Sequence, residues 1–138
     1  MTAKEYLSQA RYLDMRINSK IEQIESLNEL ATKCTSTITG MPHNPSASTS
    51  LMADAVCKIV DLEKEINKDA TMLVELKREI MGVISAVENT EYQVLLEKRY
   101  LCNTPWEQIA VDMSYGIDNI FKLHKKALNM VVIPPALQ

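Results

Sequence analysis

Glycine and proline are scarce, three and five among 138 residues. Few positions therefore oblige the chain to turn or kink. Aromatic residues make up 5%, too few for a sheet protein, whose strands draw on aromatic and β-branched side chains. Leu, Ile, Met, Glu and Lys are common instead, and that composition favours long helices. The cysteines, Cys34, Cys57 and Cys102, are odd in number and far apart. Their spacing excludes a CxxC metal knuckle and a disulfide framework and fits reduced thiols in a cytoplasm. No apolar run approaches the roughly 20 residues that span a bilayer. No apolar segment follows the opening Met-Thr-Ala-Lys-Glu, so neither a membrane partner nor a secretory signal is expected, and the protein is expected to be soluble and cytoplasmic. There is no Gly-rich phosphate loop and no cluster of carboxylates. The two histidines, His43 and His124, stand far apart, and His124 reads as a surface residue of the last helix. Catalytic residues, a metal site and a cofactor are accordingly not expected.

What is present is heptad periodicity. Over residues 2–34, Ala3, Ala10, Ile17, Ile24 and Ala31 recur every seven residues, with Tyr6, Leu13, Lys20, Leu27 and Cys34 as the companion series. Over residues 51–88, Met52, Ile59, Ile66, Leu73, Ile80 and Val87 keep the same interval, accompanied by Ala55, Leu62, Asp69, Leu76 and Val83. Each stretch predicts one long helix with an apolar seam. Between them, TSTITGMPHNPSASTS at 35–50 predicts a flexible linker. Folding the helices back on each other pairs Cys34 with Met52, Leu27 with Ile59 and Leu13 with Leu73. The polar intruders, Lys20 and Asp69, then fall in adjacent layers, close enough for a salt bridge. Such a pair is expected to set the register of the hairpin rather than to add stability. The same seams also suit a dimer formed through the arm.

The last quarter is patterned differently. Asn89 or Thr90 predicts the cap of a third helix reaching about Leu101, with Tyr92, Leu95, Leu96 and Tyr100 as its apolar stripe. Thr104-Pro105-Trp106-Glu107 has the form of a capping box with proline at the first helical position. Trp106, Ile109, Ala110 and Met113 then recur at helical spacing. After a break at Ser114-Tyr115-Gly116, a second run gives Ile117, Ile120, Phe121, Leu123, Ala127 and Leu128. Two short helices joined by about three residues match a helix-turn-helix, whose second helix enters the DNA major groove. The expected fold is all-α, with a coiled-coil-like hairpin over 1–88, the helix-turn-helix module over 89–130 and a tail over 131–138.

The residues Leu95-x-x-x-Arg99-Tyr100, Trp106-Glu107-x-Ile109-Ala110 and Lys126-Ala127-Leu128 resemble region 4 of bacterial sigma factors, over roughly residues 89–129. The opening MTAKEYLSQA, and the order of long helix, Ser/Thr-rich linker, long helix and helix-turn-helix, are similar to a family of small phage- and prophage-encoded proteins related to ArpU-type late transcription regulators. The resemblance implies a transcription regulator in a bacterial host cell. The sequence departs from the sigma pattern in four places. Ser114 stands where the turn usually carries glycine, and Gly116 where the second helix is usually capped by Ser or Thr. Ile117 and Phe121 occupy positions where sigma factors often place arginine.

On the second helix of the module, Asp118, Asn119, Lys122, Lys125 and Lys126 are expected to face outward. Lys122 suits guanine edges and Asn119 suits adenine, while Lys125 and Lys126 suit phosphate. Phe121 either completes the core or meets a thymine methyl or a protein. Trp106 is expected to anchor the core. Arg99 is expected to pair with Glu107 or Asp112, with a phosphate contact as the alternative. The net charge is −3, and residues 90–138 hold five bases against five acids. A protein that binds DNA alone usually shows a stronger basic footprint. RNA polymerase is therefore a candidate partner beside double-stranded DNA. The alternative function is a protein-binding module whose helix-turn-helix no longer reads DNA and which engages or inhibits a host or phage protein. A DNA-packaging recognition subunit is a third reading.

Overall fold

A computed structural model describes residues 1–38 and 45–135, with the backbone alone for residues 34–38 and 45–49. The described chain is helical throughout, with no strand among the described residues. Its elements are α1 (Ala3–Ile38), α2 (Pro45–Ser85), α3 (Thr90–Leu96) with a π-helical continuation (Glu97–Leu101), α4 (Trp106–Met113) and α5 (Ile117–Asn129). No described helix is long and apolar enough to cross a membrane.

The two long helices extend further into the Ser/Thr-rich stretch than its composition predicts. α1 continues to Ile38 and α2 begins at Pro45. Proline at a helix start loses nothing, because its missing N–H would have been unpaired there. Residues 39–44, with Gly40, Pro42, His43 and Asn44 of the expected linker, lie outside the described residues. α1 opens with a capping box: the Thr2 hydroxyl accepts the Glu5 N–H at 3.2 Å, and the Glu5 carboxylate accepts the Thr2 N–H at 2.9 Å. The signal for it, Thr-x-x-Glu, stands in the opening five residues.

Contacts divide the chain into two compact units, and the division differs from the expected boundary at 88/89. One unit holds Met1–Asp14 and Met72–Gln138, the other Met15–Thr71. The boundary crosses both long helices, because the module's core extends onto them. Tyr6, Leu7 and Ala10 of α1, Ile80 and Ile84 of α2 and Val87 just beyond it are buried together with Leu95, Leu96, Tyr100, Ile109, Ala110, Ile120 and Ala127. Tyr6 keeps its hydroxyl satisfied at the edge of this core by donating to Glu79 at 2.9 Å.

α2 ends at Ser85, three residues short of the expected 88. The side chain of Gln93 covers this end, donating to the carbonyls of Ser85 at 3.1 Å and Val87 at 2.5 Å. These carbonyls lie where a helix end leaves acceptors without intrahelical donors. Asn89 then caps α3, its side chain accepting the Tyr92 N–H at 3.3 Å. Val131 and Ile133 of the tail pack against the same core.

In the second unit the helix segments run antiparallel. Lys20 meets Asp69, while Leu27 and Leu30 line a groove with Leu51 and Ala55. Lys20 Nζ lies 2.5 Å from Asp69 Oδ2 and 3.9 Å from Glu65 Oε2, and both members of the closer pair are buried. Removing one partner leaves a buried charge without its complement, whereas replacing both by apolar side chains removes the desolvation cost as well. Lys20→Ala or Asp69→Ala should each cost about 3 kcal/mol in urea unfolding, while Lys20→Leu/Asp69→Leu should match or exceed the wild type. A double-mutant cycle without coupling would rule out this role.

Candidate nucleic-acid interface

The last three helices build a surface around α5. α3 widens at its C-terminal end into a π-helical turn, where the Cys102 N–H bonds to the Glu97 carbonyl at 3.0 Å. The extra residue in this turn carries Tyr100 into the core while Arg99 stays at its edge. Asn103 follows in the left-handed region at φ 54°, which asparagine tolerates better than most residues. Its amide donates to Asp14 Oδ2 at 2.8 Å, tying the loop before α4 to α1.

The capping box expected at Thr104–Glu107 does not form. α4 begins at Trp106, and Pro105 holds the cap position with extended backbone and no side-chain cap. Proline lacks the side-chain oxygen that would bond the free N–H groups. The Thr104 carbonyl is engaged instead by Arg99 Nη1 at 3.2 Å.

The turn between α4 and α5 closes as a Schellman motif. Tyr115 N–H bonds to the Ala110 carbonyl at 2.9 Å and Ser114 N–H to Val111 at 3.2 Å. Ser114 takes the left-handed conformation, φ 60° and ψ 37°, that this motif requires. A non-glycine residue there costs about 1 kcal/mol. Two side-chain links brace the turn. Tyr115 Oη donates to Glu91, and Asp112 receives Lys98 at 3.2 Å and Gln108 at 2.8 Å.

α5 is sharply two-faced. Ile120, His124 and Ala127 are buried and Leu123 is half-buried. Asp118, Asn119, Phe121, Lys122, Lys125 and Lys126, the residues singled out for DNA contact, are all exposed. Phe121 remains 46% exposed while its ring meets Trp106 edge-on, with centroids 5.4 Å apart. Ile117, one turn earlier, is 38% exposed.

No protein-family model, no curated protein and no solved structure matches this chain.

Two further expectations from the sequence are corrected at this site. His124 is not a surface residue. Its Nε2 shares a 2.6 Å hydrogen bond with Tyr100 Oη, and its ring packs against Trp106 with centroids 4.6 Å apart. Position 124 continues the Ile120–Ala127 stripe, and an imidazole enters a core once its polar atom finds a partner. Arg99 does not pair with Glu107 or Asp112. Its guanidinium lies over the Trp106 ring, 4.5 Å from the centroid, in cation–π geometry. The Asp112 carboxylate is taken by the neighbouring Lys98.

Charge accumulates along this edge. Burial lowers the pKa of Arg99, and the positive charge of Arg11 lowers it further. Burial, then Lys4 and Arg99, depress His124 to about 4. Tyr100 is pushed up to about 12 by burial, against the pull of Arg99 and Arg11. Lys4 and Arg11 belong to α1, which the heptad pattern assigns wholly to the hairpin. The signal is their seven-residue spacing, one position beyond the Ala3–Ala10 heptad series, of which Ala10 is buried.

The depressed His124 makes stability depend on pH. The imidazole ionises near 6.5 when unfolded and only near 4 when folded, so protons favour the unfolded chain. Its stabilising effect is complete above about pH 6.5 and is lost as pH falls towards 4, amounting to roughly 2–3 kcal/mol. In His124→Phe, the difference from wild type in urea unfolding free energy should shrink by that amount across this window. A constant difference would place the ionisation elsewhere.

Proposed function

We propose that this protein is a DNA-binding transcription regulator, of the phage-encoded kind that resembles sigma region 4, acting at promoter DNA alone or with RNA polymerase. The observation that carries this reading is the two-faced α5. Its inward face is locked by Ile120, His124 and Ala127, and its outward face offers Asn119, Lys122, Lys125 and Lys126 on a helix-turn-helix scaffold. Base-edge contacts fall to Asn119 and Lys122 and phosphate contacts to Lys125 and Lys126. Asp118 tempers the charge at the helix start and suits a cytosine amino group. Arg99, over the Trp106 ring and without a carboxylate partner among the described residues, suits a phosphate beside α5, with Arg11 near it.

The module's overall neutrality limits unassisted affinity, which gives RNA polymerase its place in the proposal. A second reading draws on Ile117 and Phe121, apolar and partly exposed one turn apart on α5. They suit contact with a protein, and in that reading the helix-turn-helix engages a host or phage protein instead of a groove.

Binding to double-stranded fragments of the genome that encodes the protein, with and without RNA polymerase, separates these readings. A specific shift should appear that weakens as salt rises. Lys122→Ala/Lys125→Ala should abolish specificity and, through the lost Lys125 phosphate contact, lower the slope of log affinity against log salt by about 1. No shift under either condition, from folded protein, would discard DNA binding in favour of the protein contact.

A further inference from the structure

The unit Met15–Thr71 has little core of its own. Ile17 and Leu62 are its buried apolar side chains among the described residues. Leu30 and Leu51, by contrast, stand 53% and 58% exposed. They flank a groove of about 360 Å³, whose floor includes Leu27 and Ala55 and whose rim carries Asp54 and Lys58. A two-helix unit of this size gains little from its own burial. Closing the groove on a matching surface is the direct way to remove both leucines from water.

The rim says which surface matches. Asp54 and Lys58 lie one turn apart on α2, both exposed, and neither has an ion-pair partner among the described residues. A rim built for a strongly charged ligand would carry one sign. This one carries one acid and one base, a pattern that is its own complement. A two-fold axis perpendicular to α2, passing between Asp54 and Lys58, sets α2 antiparallel to its copy. Asp54 of each copy then faces Lys58 of the other, as an isologous interface requires.

We propose that this groove is half of a two-fold interface and that its occupant is a second copy of this chain. Leu30 and Leu51 of each copy enter the apolar groove of the other, and two Asp54–Lys58 pairs close the rim and fix the antiparallel direction. The interface does not depend on α5, so it stands or falls separately from DNA binding.

Sedimentation equilibrium of the full chain, over about 1–100 μM, tests it. The wild type should have the mass of a dimer. Leu30→Glu should raise the dissociation constant at least about tenfold by placing a charge in the groove. Asp54→Lys and Lys58→Asp should each be monomeric, because each places two like-charged pairs in every dimer. Both positions are exposed, and circular dichroism should find both variants as helical as the wild type. Mixed in equal amounts, these two variants should recover a dimer, since each new lysine then faces an aspartate of the other chain. That recovery does not arise from a charge pair within one chain. A wild type that stays monomeric over the range, a dimer indifferent to these substitutions, or charge variants that stay apart on mixing would each overturn the proposal.

Discussion

The structure depends on one burial event, in which Tyr6, Leu7 and Ala10 meet Ile80, Ile84 and Val87 beneath the last three helices. α3, α4 and α5 contain 7, 8 and 13 residues. Isolated helices shorter than about 12–15 residues are marginal in water, and their stability in proteins comes from packing an apolar face. Three such helices cannot enclose Leu95, Leu96, Tyr100, Ile109 and Ile120 by themselves. The start of α1 and the end of α2 supply the missing wall. The Asn103–Asp14 hydrogen bond and the Gln93 cover over the end of α2 hold the connecting loops to that wall.

The proposed reading of α5 rests on this wall. A helix is useful for recognition when its inward face is fixed, because the outward side chains are then held in a defined array. Ile120 and Ala127 fix α5 by apolar contact, and His124 fixes it by the hydrogen bond to Tyr100. Trp106 sits at the junction, touching His124 and Phe121 and carrying Arg99 over its ring. One aromatic residue thus couples the core to the exposed cationic edge. The strained Ser114 in the turn is carried by the same packing.

Much of this was legible in the sequence. The heptads of residues 2–34 and 51–88 located both long helices, and their two polar interruptions, Lys20 and Asp69, located a contact between residues 49 positions apart. The stripe Ile120–Leu123–Ala127 correctly oriented α5. The misses have physical causes. Pro105 weighed as a helix residue, yet the helix waits for Trp106, because an extended proline ends the preceding loop equally well. A histidine reads as a surface residue by type, although position 124 lies on the buried stripe, since a sequence does not show the Tyr100 hydroxyl waiting opposite. The sequence does not place Lys4 and Arg11 at this edge, because their relevance arises only when α1 packs beside α3 and α5. The contact units cut across both long helices for the same reason: periodicity locates helices but does not say how far along each one a core extends.

The most direct test of the dependence of α5 on α1 is native-state hydrogen exchange in the full chain. In Leu7→Ala, the α5 amides from Ile120 to Ala127 should lose protection together with those of α4 and the start of α1, by a common free energy of about 2–4 kcal/mol. Loss of protection confined to the start of α1, with α5 exchanging as in the wild type, would contradict the account and make the helix-turn-helix a self-sufficient module.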